Sequence, residues 1–282
     1  MKSMMKRNTF REIKKSFGRY FAILAIIAPG VAFFSGLKIT QSVMVHSADV
    51  YLKDLQFYDY RLVSTLGFTE ENVEALAEKE DVRAAEGAIS AEVLYKDAGE
   101  NERVIKMHSI TEKVNKLKLV AGEMPQSADE CVVDSVLFSE DAIGSKLVLS
   151  ENNTTDDLDK FAYKEYTITG LVQSPCYIQF ERGNTSIGNG RISGFAYILK
   201  DGFAVDYDTE IYIKFDEDYD IYSDEYDSYM DAKEADWEAY TKEQADIRYE
   251  KIVKDAQDEL DEKKEELEEK RAEAEAELES AK

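Results

Sequence analysis

The chain has 282 residues and a formal net charge of −24, with 44% hydrophobic residues. A chain this acidic repels nucleic acid, which excludes a nucleic-acid-binding function. Its apolar content is too high for a disordered chain, and its length allows more than one folded unit.

A basic head occupies residues 1–19, where seven Lys and Arg residues stand against the single acid Glu12. A helix is predicted over 8–19, with Thr9 as its N-cap, because Thr9 and Glu12 have the spacing of a capping box. Such an amphipathic helix would lie in the inner headgroup layer of a membrane, with its basic groups against anionic lipid.

Three apolar residues of the head recur at i, i+3 and i+7, so they share one helical face. The pattern favours a simple topology signal. The alternative is a docking face for a cytoplasmic partner. That face would consist of Phe10, Arg11, Ile13, Lys15 and Phe17.

Residues 20–37 form an uncharged run that is predicted to cross the cell membrane. As a helix this run reaches roughly 27 Å, close to the thickness of a bilayer's hydrocarbon core. The positive-inside rule then places the N-terminus in the cytoplasm and the bulk of the chain outside it. A cleaved signal peptide and a buried core helix are the alternatives, but the run is longer than a signal core and no A-x-A-like site follows it.

Residues 38–54 are predicted to continue the helix beyond the membrane, and residues 55–218 to form an outer domain. The domain begins with a strand and then a helix, which is capped by Thr69. Val73, Leu76 and Ala77 are predicted to face inward from this helix. Because strands outnumber helices in the rest of the segment, the expected fold is mixed α+β. Strands are predicted at 58–66, 88–95, 103–110, 146–149, 163–172, 194–199 and 210–215, and an exposed polar loop at 152–159.

Residues 219–282 are predicted to be an acidic linker followed by a helical arm. From residue 227 onward the chain has no Gly or Pro and is dominated by Ala, Glu, Lys, Asp and Leu, which is typical of a long helix. An apolar stripe along this helix predicts a coiled-coil seam, although Lys263 and Lys270 or Arg271 interrupt it. The seam residues are Tyr249, Val253, Ala256, Leu260, Leu267, Ala274 and Leu278.

The stripe needs a partner, which is either another chain or a returning helix. The helical pattern reaches the last residue with no terminating Gly or Pro. We therefore expect the chain to be the front piece of a longer protein.

No residue pattern indicates catalysis, a cofactor or a metal. His46 and His108 are far apart and lack the spacing of metal ligands. The glycine cluster at 181–191 lacks the Lys-Ser/Thr pair that a phosphate loop requires. Cys131 and Cys176 allow a disulfide on the outer side, and two free thiols are the alternative.

Several motifs occur together along the chain. The first region contains RNTFREI at 7–13, SFGRY at 16–20 and PGVAFFSGLK at 29–38. The later region contains YDY at 58–60, STLG at 64–67, GEMP at 122–125, EC at 130–131, SPCY at 174–177 and RGNTSIGNG at 182–190. In combination, the first group resembles the start of bacterial ABC-transporter permeases of the FtsX/MacB-like class. The later group is similar to the extracytoplasmic MacB-like core domain of that class, and the resemblance covers roughly residues 5–220.

The resemblance implies a membrane permease subunit that hydrolyses nothing itself. It implies a separate cytoplasmic ABC ATPase as partner. The membrane helices would transmit the conformational changes of this ATPase to the outer domain. Such permeases have further spans after the outer domain, which this sequence lacks. The lipid bilayer is the second expected partner, with a second permease copy or the missing C-terminal part as the third.

The alternative interpretation is a single-pass sensor or adhesion protein. In that protein the outer domain would bind a ligand and the coiled coil would dimerise the chain. This interpretation explains the anchor, the domain and the heptads equally well, but it gives the amphipathic head no role beyond setting topology.

Overall fold

The computed structural model describes residues 2–97 and 99–280, with side chains at 4–5, 7–97, 99–268 and 270–271. The architecture is α+β as predicted, with an apolar helix near the N-terminus, a domain of two sheets and a long C-terminal helix. The chain divides into two units, of which one ends at Asp54 and the other begins at Leu55.

The first unit consists of α1 (Lys2–Lys15) and α2 (Phe17–Asp54). The two helices are separated at Ser16, whose carbonyl accepts a hydrogen bond from the Arg19 N–H. In the described part of the chain, α2 is the one helix that is long and apolar enough to cross a membrane. It runs without a break through Pro29, which membrane helices tolerate.

The predicted start of the head helix at Thr9 is wrong. Helix α1 begins at Lys2, so Thr9 lies in its interior. There the Thr9 hydroxyl donates to the Met5 carbonyl one turn earlier, at 2.9 Å. A mid-helix Thr can bond backward in this way as readily as it caps a helix, which is why the capping-box spacing misled.

The described residues of the second unit form ten strands and three α-helices. The strands are β1 (Tyr60–Phe68), β2 (Val82–Ala88), β3 (Ser90–Lys96), β4 (Glu102–Ser109), β5 (Lys118–Gly122), β6 (Glu130–Asp134), β7 (Lys146–Leu149), β8 (Glu165–Gln173), β9 (Ile192–Ile198) and β10 (Asp208–Phe215). The helices are α3 (Glu70–Ala77), α4 (Thr155–Leu158) and α5 (Asp224–Ser280).

Strands β1, β10 and β2 form a small antiparallel sheet with β10 in the centre. The other seven strands follow the order β5-β8-β6-β9-β4-β3-β7, and β7 also pairs with β8. This extra pairing closes six of the strands into a ring, with β5 attached at the edge of β8. The inside of the ring is filled by apolar side chains, among them Val93, Ile105, Val133, Tyr166 and Ile198.

The small sheet and the ring are joined by nearly continuous chain. Strand β2 ends at Ala88 and β3 begins at Ser90, so only Ile89 lies between them. The Ser90 N–H donates to the Thr209 hydroxyl at 2.8 Å, which links the start of the ring to β10. The two sheets therefore meet along β10.

Most predicted elements are present with shifted ends. Thr69 occupies the N-cap position of α3 as expected, its N–H donates to the Asn72 side chain at 3.0 Å, and Leu76 is buried. Ala77 is exposed rather than inward, because it lies at the end of a helix that has only eight residues. The predicted loop at 152–159 contains the short helix α4.

Three strands were not predicted, namely β2, β5 and β6. Strands β5 and β6 have five residues each, which is too short to show a period-2 pattern clearly. Strand β2 reads VRAAEGA, and its Ala and Gly content gives little strand signal.

Candidate functional site in the two-sheet domain

The central strand β10 buries both of its faces. Its apolar residues Ile211, Ile213 and Phe215 face a core that includes α3 and α5. Its alternate residues Glu210 and Lys214 are only 2% and 8% exposed, although both are charged. Buried charges must be paired or hydrogen-bonded, so this face needs a set of partners.

We call this second face the β1–β10 polar face, and it consists of Asp59, Arg61, Glu210, Tyr212 and Lys214. Pairing of β1 with β10 places Arg61 opposite Tyr212. The positive and negative side chains of the two strands are thus interleaved on one surface.

At one end of this polar face, the Asp59 carboxylate binds three groups. It lies 3.0 Å from the Lys214 Nζ and accepts the Phe215 N–H at 2.9 Å. The Tyr226 hydroxyl donates to the same carboxylate at 3.2 Å. Since Tyr226 belongs to α5, one side chain fastens the start of β1 to both β10 and the first turn of α5.

Glu210 is the hub at the other end. It accepts hydrogen bonds from the Ser90 hydroxyl at 2.5 Å and the Tyr212 hydroxyl at 2.6 Å, and Arg61 Nε lies 3.1 Å away. Burial raises the pKa of Glu210, but the two hydrogen bonds and the charge of Arg61 outweigh that effect and leave the pKa lowered. Glu210 is therefore held as a carboxylate at the meeting line of the two sheets.

A buried aromatic and histidine layer of the ring lies next to Glu210. His108 Nε2 lies 2.6 Å from the Tyr177 hydroxyl, and its ring stacks on Tyr197 with centroids 5.0 Å apart. Burial lowers the pKa of His108 to about 3, and the charge of Lys106 acts in the same direction. His108 is consequently neutral at physiological pH.

Both cysteines are free thiols in the structure. Burial raises the pKa of Cys176 to about 11, and burial also raises the pKa of Cys131. Thiols protonated in this way are poor nucleophiles, so neither has the surroundings of a reactive cysteine.

Residues 55–59, which we call the junction segment, connect α2 to β1. Their backbone is held from the side by Asn115 and Lys116. The Asn115 N–H donates to the Gln56 carbonyl at 2.9 Å, and the Lys116 N–H donates to the Leu55 carbonyl at 2.8 Å. The Tyr58 N–H donates to the Asn115 side chain at 3.1 Å, so the segment is fixed along its length.

The loop that holds the junction segment is itself held by β2. The Glu86 carboxylate accepts the backbone N–H groups of Glu112, Lys113 and Val114 at 2.8, 2.8 and 3.0 Å. Three N–H donors on one carboxylate make a strong, directional attachment. The junction segment is thus tied through this loop to the small sheet.

The first part of α5, residues 224–240, packs on the apolar face of the small sheet, and we call it the arm base. Trp237 is 4% exposed and contacts Phe215 and Tyr60, with ring centroids 5.4 and 5.8 Å apart. Lys233 pairs with Asp81 at 2.5 Å, on the loop before β2. The arm base is therefore anchored by apolar burial and by an ion pair.

The structure places the predicted partner-facing residues of the head on two helices. Phe10, Arg11, Ile13 and Lys15 lie on α1, whereas Phe17 is the first residue of α2. Phe10 and Phe17 are 75% and 65% exposed. Their role as a docking face stays a prediction.

The predicted coiled-coil seam lies on α5 beyond the arm base. Its described members are all exposed, namely Tyr249, Val253, Ala256, Leu260 and Leu267. Ala274 and Leu278 lie on the helix, but their side chains are outside the described residues. The seam also stays a prediction.

Sequence reasoning missed the polar face and the junction segment. Asp59 and Glu210 had no role assigned, because their partners lie far away along the chain. The one local signal was the charge on alternate residues of β10, which is typical of a solvent-exposed face as well. Among the described residues, no group of three or more His, Cys, Asp or Glu side chains could hold a metal ion.

No protein family model matches the chain. No curated protein sequence matches it either.

The fold is similar to that of several solved structures. The extracellular domain of YknZ, a noncanonic ABC-type transporter from Gram-positive bacteria, is 12% identical with a TM-score of 0.36, over 55% of this chain and 76% of that one. The periplasmic region of MacB from Actinobacillus actinomycetemcomitans is 13% identical with a TM-score of 0.36, over 57% and 69%. A domain described as a permease protein from Porphyromonas gingivalis is 14% identical with a TM-score of 0.31, over 55% and 63%.

Proposed function

We propose that this chain is a permease subunit, or part of one, of an ABC-type transporter of the FtsX/MacB-like class. Helix α2 anchors it in the cell membrane, with the N-terminus in the cytoplasm and the two-sheet domain outside. A separate cytoplasmic ATPase supplies the work, and this chain transmits it mechanically. The chain performs no catalysis itself.

The observation that carries the proposal is the pairing of β1 with β10. The chain passes from α2 through the junction segment into β1, and it passes from β10 into α5. The register joins Tyr60 to Ile213 and continues to Val63 and Glu210. The strand that follows the membrane helix is therefore hydrogen-bonded directly to the strand that precedes the arm.

A transmission element must also be stiff at its ends. A slack linker after α2 would absorb a displacement, whereas the junction segment is hydrogen-bonded to the 112–116 loop and to β10. On the other side, Trp237 and Tyr229 of the arm base pack against Phe215 at the end of β10. A displacement that enters at residue 55 thus has a continuous path of packed and hydrogen-bonded groups into α5.

The proposed contact with the cytoplasmic ATPase is assigned to the basic head. Its exposed apolar face and the basic residues Arg11 and Lys15 suit a partner surface that is apolar at the centre and acidic at the rim. The bilayer is the second partner. A second permease copy or a further segment of the polypeptide would supply the additional spans that such permeases have.

The test is co-purification from membranes. We expect the tagged full chain to carry a protein with a P-loop ATPase signature, identified by mass spectrometry and by ATP hydrolysis in the eluate. The double change Phe10→Asp and Phe17→Asp should release that protein without stopping membrane insertion, because two carboxylates would be buried in the contact.

The matched control is Met5→Asp, which replaces an exposed apolar residue of α1 by a carboxylate away from the proposed docking face. It should leave both insertion and co-purification unchanged. If the ATPase stays with the double variant, this role of the head is wrong. If no ATPase accompanies the unaltered chain, the permease proposal itself loses its support.

A further inference from the structure

A cavity of about 250 Å³ lies between β1, α3 and α5, just beyond the arm base. Its walls are mainly apolar and are formed by Leu62, Phe68, Leu76 and Tyr240. Its polar lining includes Gln244 and Arg248, which are one helical turn apart on α5, together with Arg61, Asn72 and Thr241. The cavity thus combines an apolar interior with several N–H-bearing side chains.

Arg248 has no counterion in the described part of the chain. Its Nε is shielded from solvent and has no hydrogen-bond partner there. The residues three and four positions away on α5 are Gln244, Ala245, Lys251 and Ile252, so no acid lies next to it on its own helix. Leaving such a donor unpaired is unfavourable.

Several other cations of α5 are paired with acids of the chain. Lys263 binds Glu259 and Lys264 binds Asp261, each within one turn of the same helix. Lys251 lies 3.9 Å from Glu71 on α3. Arg248, in contrast, lines an apolar cavity without an ion-pair partner among the described residues, although the chain carries a net charge of −24. A ligand from outside the chain would best supply the missing counterion of Arg248.

We propose that this cavity binds a small aliphatic carboxylate. The carboxylate would pair with the Arg248 guanidinium and the Gln244 amide, and the aliphatic chain would lie against Leu62, Leu76 and Tyr240. An arginine binds a carboxylate through two parallel hydrogen bonds, which suits a single carboxylate head. The proposal does not depend on the transport role.

Size and charge narrow the ligand class. The cavity volume of about 250 Å³ suits a small molecule. The acidity of the chain disfavours a dianion or a polyphosphate at long range. A monovalent acid with a short apolar chain meets both conditions.

The position of the cavity makes ligand binding measurable. Trp237 is the only tryptophan of the chain. Its ring centroid lies 5.8 Å from that of Tyr60 and 6.2 Å from that of Tyr240, and both tyrosines line the cavity. A ligand that enters should therefore change the fluorescence of a single known residue.

The experiment titrates sodium octanoate into the full chain reconstituted in phosphatidylcholine vesicles and follows Trp237 fluorescence. We expect a saturable change with octanoate and at least about tenfold weaker binding of octanamide, which lacks the charge. Arg248→Gln should reduce octanoate affinity to that of octanamide. Arg271→Gln, on the same helix but away from the cavity, should bind octanoate like the unaltered chain.

Three results would overturn the proposal. The first is no saturable response of the unaltered chain to octanoate. The second is equal octanoate affinity in Arg248→Gln and Arg271→Gln. The third is an equal response to octanoate and octanamide, which would mean partitioning into the bilayer only. Ala245→Leu, which narrows the cavity, provides a second variant and should weaken both ligands.

Discussion

Asp59 and Lys214 form an ion pair at 3.0 Å, and their side chains are only 7% and 10% exposed. The pair joins the last residue of the junction segment to β10. Removing one partner of a buried pair leaves the other charge uncompensated, which costs more than the pair itself contributes. We predict that Asp59→Asn lowers the free energy of unfolding by about 3 kcal/mol.

Denaturant unfolding followed by Trp237 fluorescence measures this loss. Asp201→Asn, a change of the same kind at an exposed carboxylate, should shift the unfolding free energy by less than about 0.5 kcal/mol. The double variant Asp59→Asn with Lys214→Met should regain part of the loss, because no unpaired charge remains. A double variant that loses the full sum of the two single effects would show that the two residues act independently.

His108 predicts acid lability of the two-sheet domain. Its pKa is lowered to about 3 in the folded chain, against an ordinary value of about 6.5. Between these values the unfolded chain binds a proton that the folded chain does not. Its contribution is therefore fully present above about pH 6.5 and is lost as the pH falls, at about 1.4 kcal/mol per pH unit.

Unfolding free energies between pH 5 and 8 test this sign, because the carboxylates remain mostly ionised in that range. The charged and titratable groups around His108 are Arg61, Lys106, Tyr177, Tyr197 and Glu210. His108→Gln should flatten the pH dependence below pH 6.5, even if it lowers stability at pH 8. His46→Gln changes the only other histidine, which is exposed on α2, and should leave the slope as it is. An unchanged slope in His108→Gln would rule out His108 as its source.

Trp237 is predicted to hold the arm base on the small sheet. Trp237→Ala removes a buried ring that contacts Tyr60, Phe215 and Tyr240, which should cost about 3–5 kcal/mol. Because the fluorophore is lost, far-UV circular dichroism replaces fluorescence. Hydrogen exchange should become faster over residues 224–240.

The matched control for the arm base is Tyr249→Ala. Tyr249 lies on the same helix and is 60% exposed, so its truncation should change stability by less than about 0.5 kcal/mol. Faster exchange in both variants would mean that the whole helix frays, and that the arm base is not a separate anchor.

The parts of the fold that the sequence predicted are those with a strong local pattern. The uncharged run at 20–37 could be identified from length alone, and α5 from a composition without Gly or Pro. Strand β10 was also found, because Ile211, Ile213 and Phe215 alternate with polar residues. These signals need no knowledge of what lies on the other side of the element.

The candidate site could not be predicted, because no local sequence pattern identifies the partners of its residues. The polar residues of β10 give the same sequence pattern whether their side chains face water or contact buried partners. Glu210 meets Ser90 and Arg61, and Asp59 meets Lys214, all more than a hundred positions away in sequence. Only the pairing of the two sheets brings these charges together, and no local period records it.

The last prediction concerns the coiled-coil stripe on α5. We predict that it does not form a symmetric parallel dimer, since such a dimer would place Lys263 against its own copy within the seam. Lys263 is already paired with Glu259 on its own helix. The single changes Leu260→Cys and Leu267→Cys test this in membranes, under a mild oxidant. Burial raises the pKa of both native thiols, Cys131 and Cys176, so they react slowly, and the unaltered chain serves as the control for them. Non-reducing electrophoresis should show a monomer for both variants and for the surface control Glu262→Cys. A disulfide-linked dimer at positions 260 and 267 but not at 262 would establish parallel pairing through the seam, and the arm would then be a dimerisation element.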